Sequence, residues 1–255
     1  MAVASMDAAI QHKLPKLDYA VSRSRILNVL TWLTGLGFVV TLFLALFYAG
    51  TDVTQGNVQR VFYMHVGSFS GGATAFFVTV IAGIAYLRTR DPKWDRLAVS
   101  SVEVGFPLML ITLATGSVWA RPIWNTWWTG DPRLNSMAVM MLLYAAYLTL
   151  RGAIDDPERR ARFASVYGIL AFISVYYVFI VIRTRSDTLH PVVIGDSPVE
   201  SSAEGKPNLD VAMIITMSVA SAWWMLAAIT LLWHRVRTEN IAEHVRSIKA
   251  RLLDQ

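Results

Sequence analysis

Long apolar runs alternate with short polar stretches rich in lysine and arginine along this chain. A helix needs about 20 largely apolar residues to cross the hydrocarbon core of a bilayer. Six runs predict such helices: Ile26–Ala49, Phe62–Leu87, Leu97–Val118, Leu134–Leu150, Phe163–Ile182 and Val211–Trp233. The second holds Gly67, Gly71, Gly72 and Gly83, small residues that let helix backbones pack closely. The third is interrupted by Glu103 and Pro107; the carboxylate is expected to snorkel to the near interface or to pair with a neighbouring helix. Beyond the sixth run, Ile241, Val245, Ile248 and Leu252 recur at helical spacing and predict an amphipathic helix that extends the last span. The pattern thus predicts an all-α, polytopic bundle of six transmembrane helices.

Composition agrees with the pattern. Of 255 residues, 55% are hydrophobic and 16% charged, against roughly 25% charged in an average soluble domain. The first run is longer than the h-region of a cleaved signal peptide, which spans about 7–15 residues. Cysteine is absent, which removes thiolate catalysis, iron–sulfur clusters, Cys-ligated zinc and thioether-linked haem from this chain's own chemistry.

Charge sets the orientation. Seventeen of the 23 Lys and Arg residues fall in the two tails and the second and fourth loops, and six on the opposite side. Basic loops stay in the cytoplasm, so both termini are placed inside. The chain then divides into a cytoplasmic tail (1–25), a six-span membrane domain (26–233) and a cytoplasmic amphipathic helix (234–255). The net charge of +5 is read as this inside label, not as a nucleic-acid surface. The outer face carries Gly50–Val61, Trp119–Arg133 and Arg183–Asp210. The inner loops hold Asp91-Pro92 and Asp156-Pro157, read as turn chemistry. No phosphate-binding glycine loop and no His-Glu-x-x-His pattern occurs, so the chain by itself is not an ATPase or a zincin.

The middle outer segment concentrates the candidate chemistry. Four of nine tryptophans, Trp119, Trp124, Trp127 and Trp128, lie within ten residues. Pro122 suits the first turn of a short helix on the outer face, on which Trp124, Trp127 and Trp128 would share one side. An interfacial aromatic belt is one reading; a flat indole platform for a large planar apolar ligand is the other. Asp131, Arg121 and Arg133 flank the cluster, the arginines able to meet carboxylates. Of the five histidines, His12, His234 and His244 fall on the inner side, whereas His65 and His190 fall on the tryptophan side, one on each flank of the loop. Two imidazoles beside an indole platform suit the axial ligands of a haem iron.

The stretch Trp119-Ala120-Arg121-Pro122-Ile123-Trp124-Asn125-Thr126-Trp127-Trp128-Thr129-Gly130-Asp131-Pro132-Arg133-Leu134 resembles the tryptophan-rich WWD signature of cytochrome c assembly proteins. Six spans, with the signature between the third and fourth and one outer His on each side, resemble the heme exporter protein C (CcmC) branch of that family. The resemblance implies haem binding and delivery in cytochrome c maturation, on the outer face of the bacterial cytoplasmic membrane. It implies His65 and His190 as axial ligands, and Trp119, Trp124, Trp127, Trp128 and Asp131 as the haem platform. Arg121 and Arg133 become candidate propionate contacts, and the haem is b-type and non-covalent. Partners implied are a membrane-anchored haem chaperone, the ATPase and membrane subunit of an ABC transporter, and a small one-span membrane protein. Ala120 and Asn125 stand where the family pattern has Gly, and Gly130 where it has Trp. No outer carboxylate pair or Cys–His pair is apparent, so the role is expected to be positioning, haem lyase-like, rather than acid–base turnover. The alternatives are a b-haem membrane subunit of a redox enzyme, which would ligate haem between packed helices, and a haem channel of the other assembly system, usually a larger protein. A haem-free permease would need a path of intramembrane charge, of which only Glu103 is evident.

Overall fold

Three of the helices begin at the dipeptide Asp-Pro, and the reason is local. In the computed structural model the Asp91, Asp131 and Asp156 side chains each accept backbone N–H bonds from the turn that follows, and the proline occupies the first helical position. There its missing N–H costs nothing. What reads as turn chemistry in the two inner loops is thus a helix start, and the outer Asp131-Pro132 is a third. The structure describes residues 24–185, 187–190 and 209–253. The N-terminal tail and most of the loop after His190, with Lys206, lie outside these residues.

Six long helices lie among the described residues: α1 (Arg25–Phe43, prolonged by one π turn, Leu44–Tyr48), α2 (Val61–Thr89), α3 (Pro92–Trp124), α4 (Pro132–Ala153), α5 (Pro157–Thr184) and α6 (Val211–Leu253). All six are long and apolar enough to cross a membrane, as the hydropathy pattern predicts. No strand occurs among the described residues. The predicted amphipathic extension is helical and continuous with the sixth span, giving a 43-residue rod about 65 Å long.

α2 lies at the centre, packed against α3, α5 and α6. Its glycines allow this, as their small size predicts. A Cβ at Gly71 would stand 2.7 Å from the Trp224 carbonyl oxygen of α6, so any side chain there pushes the two helices apart. On the other flank, Phe76 stacks on Tyr144 of α4, within a core that includes Met109, Met140 and Tyr147. α1 is peripheral, with only Leu27 and Thr41 buried. It is tied to α6 by polar links: Trp223 Nε1 donates to the Thr34 carbonyl at 2.8 Å, and the Thr34 and Thr230 hydroxyls meet at 2.9 Å.

The ends remote from the tryptophans are held by ions. Glu103 meets Arg235 of α6 at 2.8 Å, the neighbouring-helix pairing anticipated for it. Arg151 of α4 donates twice to Asp95 of α3, at 2.6 and 2.9 Å, with both side chains nearly buried. Outside the helices, the Arg185 guanidinium beside Asp187 holds that carboxyl below the usual carboxylate range.

Candidate functional site

The opposite end of the bundle encloses a cavity of about 430 Å³. That volume lies within the range of small-molecule sites, about 300–1,000 Å³. α2 contributes Phe62, His65, Val66 and Phe69; α3 contributes Thr112, Leu113, Gly116, Trp119 and Trp124; α4 contributes Arg133, Leu134 and Met137. Trp128, Phe179, Arg183 and His190 complete its outer part.

His65 sits one turn inside α2 and is oriented by α3. Its Nδ1 lies 2.9 Å from the Thr112 carbonyl oxygen. A carbonyl only accepts, so Nδ1 carries the proton and Nε2 keeps its lone pair. Gly116 makes room for the ring: a Cβ there would stand 2.8 Å from His65 Cε1. His190, reached from the far end of α5, brings its ring centroid to 6.1 Å from that of His65, with 32° between the planes. An imidazole nitrogen lies about 2 Å from a bound transition metal and about 1.1 Å from its own ring centroid. Two axial imidazoles therefore stand about 6 Å apart, centroid to centroid. The observed pair matches that spacing. No cluster of three or more His, Cys, Asp or Glu occurs among the described residues, so a second, multidentate metal centre has no support there.

The indoles form a corner rather than a flat platform. Trp119 is buried, and its Nε1 donates to Gln55 Oε1 of the first outer loop at 2.9 Å. Trp124 meets it edge-on at 4.9 Å and 89°, and stands 6.3 Å from His190. The predicted short tryptophan helix does not form. α3 runs on through Pro122 to Trp124 and ends because Asn125 takes φ +52°. Asn tolerates this left-handed conformation better than other side chains, which is why it can stand where the family pattern has Gly. Gly130 has φ +70°, a conformation that would strain the Trp of the pattern. With the helix ended, Trp124, Trp127 and Trp128 cannot share a face: Trp128 lines the cavity, while Trp127 is 59% exposed and lies outside the lining.

The flanking charges also separate. Asp131 is a structural tie: Oδ1 accepts from the Arg133 and Leu134 amides, and Oδ2 accepts from the Leu189 amide at 3.2 Å. It therefore caps α4 and holds the His190 segment against the tryptophan loop, without lining the cavity. Arg121 turns away, donating to the backbone carbonyl and side chain of Asn125. Arg133 points inward: its guanidinium carbon lies 6.0 Å over the Phe69 ring, and Nη1 is buried with no hydrogen-bond partner. Arg183 lines the cavity beside it. Arg183, Thr112, Gly116 and Gln55 escape sequence reasoning. Arg183 alone carried a signal, as a cation closing an apolar run on the outer side.

Fold and site define a polytopic helical membrane protein with a paired-imidazole, indole-walled cavity at one end. A profile of the family described as heme exporter protein C matches residues 10–251. The protein named heme exporter protein C of Bradyrhizobium diazoefficiens is 30% identical over 87% of this chain and 82% of its own length. The Escherichia coli protein of that name is 30% identical over 81% of this chain and 76% of its own, and that of Rhodobacter capsulatus 28% over 88% of each. The chain belongs to the heme exporter protein C family.

Proposed function

We propose that this chain binds haem between His65 and His190 and delivers it for cytochrome c maturation, on the outer face of the bacterial inner membrane. The observation that carries the reading is the His65–His190 pair at 6.1 Å, with the His65 Nε2 lone pair turned free by the Nδ1 bond to Thr112. The haem is b-type and non-covalent on this chain, which has no cysteine to form a thioether. Trp119, Trp124 and Trp128 wall the ring. Arg133 takes a propionate, for its buried, unpartnered Nη1 calls for an anionic acceptor, and Arg183 is placed to assist. Arg121 and Trp127 stand outside this set, and Asp131 acts by holding His190 in place.

Haem held only by imidazole and contact can be passed on, which suits delivery to a membrane-anchored haem chaperone. The relatives' name, exporter, fits a complex with the ATPase and membrane subunit of an ABC transporter and a small one-span protein. The chain's role in transfer is positioning. The inside bias of Lys and Arg supports cytoplasmic termini and hence an outer site.

Purified protein reconstituted with haem tests the reading. His65→Gly and His190→Gly are each expected to lose low-spin absorbance and to regain it when free imidazole fills the gap. Spectra unchanged in both variants would reject the ligand assignment.

A further inference from the structure

The cavity has a side as well as a mouth. α5 and α6 both pack on α2, and among the described residues they make no more than marginal contact with each other. The gap between them runs along α2, and the residues that border it also line the cavity: Ser70 of α2, Val178 and Phe179 of α5, and Met217, Ser218 and Ser221 of α6. Phe179 is 48% exposed although its ring packs edge-on against Phe69 at 4.9 Å, and Ser218 is exposed as well. Residues that line the cavity and are exposed at the same time form a wall one side chain thick on this side. Ser221 lies about 15 Å along α6 from its start, and Ser70 about 13 Å along α2. In a hydrocarbon core about 30 Å thick, these positions approach the middle of the bilayer. This thin wall therefore faces acyl chains, while the end that carries Arg133, Arg183 and His190 faces the interface.

We propose that haem enters and leaves this site sideways, through a portal between α5 and α6, so that the cargo is drawn from the membrane rather than from water. The inference rests on the haem reading above and extends it to the source of the cargo. A porphyrin is a broad apolar plate with two carboxylates on one edge. Its apolar area favours the bilayer, and its charged edge stays near the interface. The portal matches that division, with apolar and small hydroxyl side chains in hydrocarbon and guanidinium groups above them. Phe179 stands at the portal and narrows it.

Because the chain has no cysteine, one introduced thiol can be modified after the protein has been purified folded. Ser218→Cys blocks the portal when coupled to a bulky maleimide, and Trp127→Cys, exposed in the outer tryptophan loop, crowds the water-facing mouth instead. Apoprotein in phosphatidylcholine nanodiscs is mixed with phosphatidylcholine vesicles carrying haem, and the rise of the bound-haem absorbance gives the loading rate. Coupling at Ser218→Cys is expected to slow loading about tenfold or more relative to the same uncoupled variant. Coupling at Trp127→Cys should leave the rate near its uncoupled value, and Phe179→Ala should raise it. Equal rates with and without the Ser218→Cys adduct, or slowing only from the Trp127→Cys adduct, would overturn the portal and leave the haem site standing. Failure of the unmodified chain to take up haem at all would overturn both.

Discussion

Gln55 and Trp119 show how much of the site depends on single hydrogen bonds. Both side chains are buried, and the indole N–H has Gln55 Oε1 as its acceptor at 2.9 Å. Gln55→Leu leaves that donor without its acceptor, at a cost of about 1–3 kcal/mol. The expected readouts are a lower melting temperature and a shifted haem spectrum, since Trp119 walls the cavity. Gly116 makes a sharper case. Gly116→Val puts methyl groups where His65 Cε1 already stands within 2.8 Å of a Cβ position, so the ring must turn off the Thr112 carbonyl. The variant should fold and fail to hold low-spin haem, as measured by absorbance of the reconstituted protein. The two histidines and the indole cluster were legible in the sequence, because rare residue types concentrated on one side of the membrane. Gln55, Thr112 and Gly116 were not. Their roles arise from contacts across 47 to 64 positions of chain, which no local pattern encodes.

At the scale of elements, hydropathy made the six spans readable, whereas the inner Asp-Pro dipeptides read as turns and proved to be helix starts, and the helix ends were harder still. α3 was expected to stop at Val118, where the apolar run ends, yet it continues to Trp124 because its stop is a backbone event at Asn125. Pro122 fits either the first turn of a new helix or the last turn of an old one, so composition could not decide. Asp131 joins two elements through its two oxygens. Asp131→Ala removes the cap of α4, at about 1 kcal/mol, and the tie to Leu189 as well. Hydrogen exchange of the Leu189 amide should accelerate, with haem affinity falling through His190. At the other end, Arg151→Leu strands Asp95 in a nearly buried site. Breaking such a pair from one side costs about 3–5 kcal/mol, and replacing both partners by apolar residues recovers much of it. Thermal unfolding in detergent should therefore rank Asp95→Leu/Arg151→Leu above Arg151→Leu alone.

At the scale of the whole molecule, the bundle separates two chemistries. One end is closed by ion pairs, Glu103 with Arg235 and Asp95 with Arg151. The other holds the imidazoles, the indole corner, Arg133 and Arg183 around one cavity. The proposed topology, which the lysine and arginine asymmetry supports, has the first end in the cytoplasm. A single cysteine at Val53, 84% exposed in the Gly50–Val61 loop, should react with a membrane-impermeant maleimide applied outside intact cells, and one at Arg159 should not. The reverse labelling would invert the topology and move the site to the wrong face for delivery. The proposed function depends on His65 and His190 together holding one haem iron. Near-infrared magnetic circular dichroism of the ferric, haem-loaded protein tests it most directly, because the charge-transfer band identifies both axial ligands. A single low-spin bis-imidazole band, lost in His65→Gly and in His190→Gly, is expected; a high-spin or mixed-ligand signature in the unmodified protein would overturn the ligand assignment.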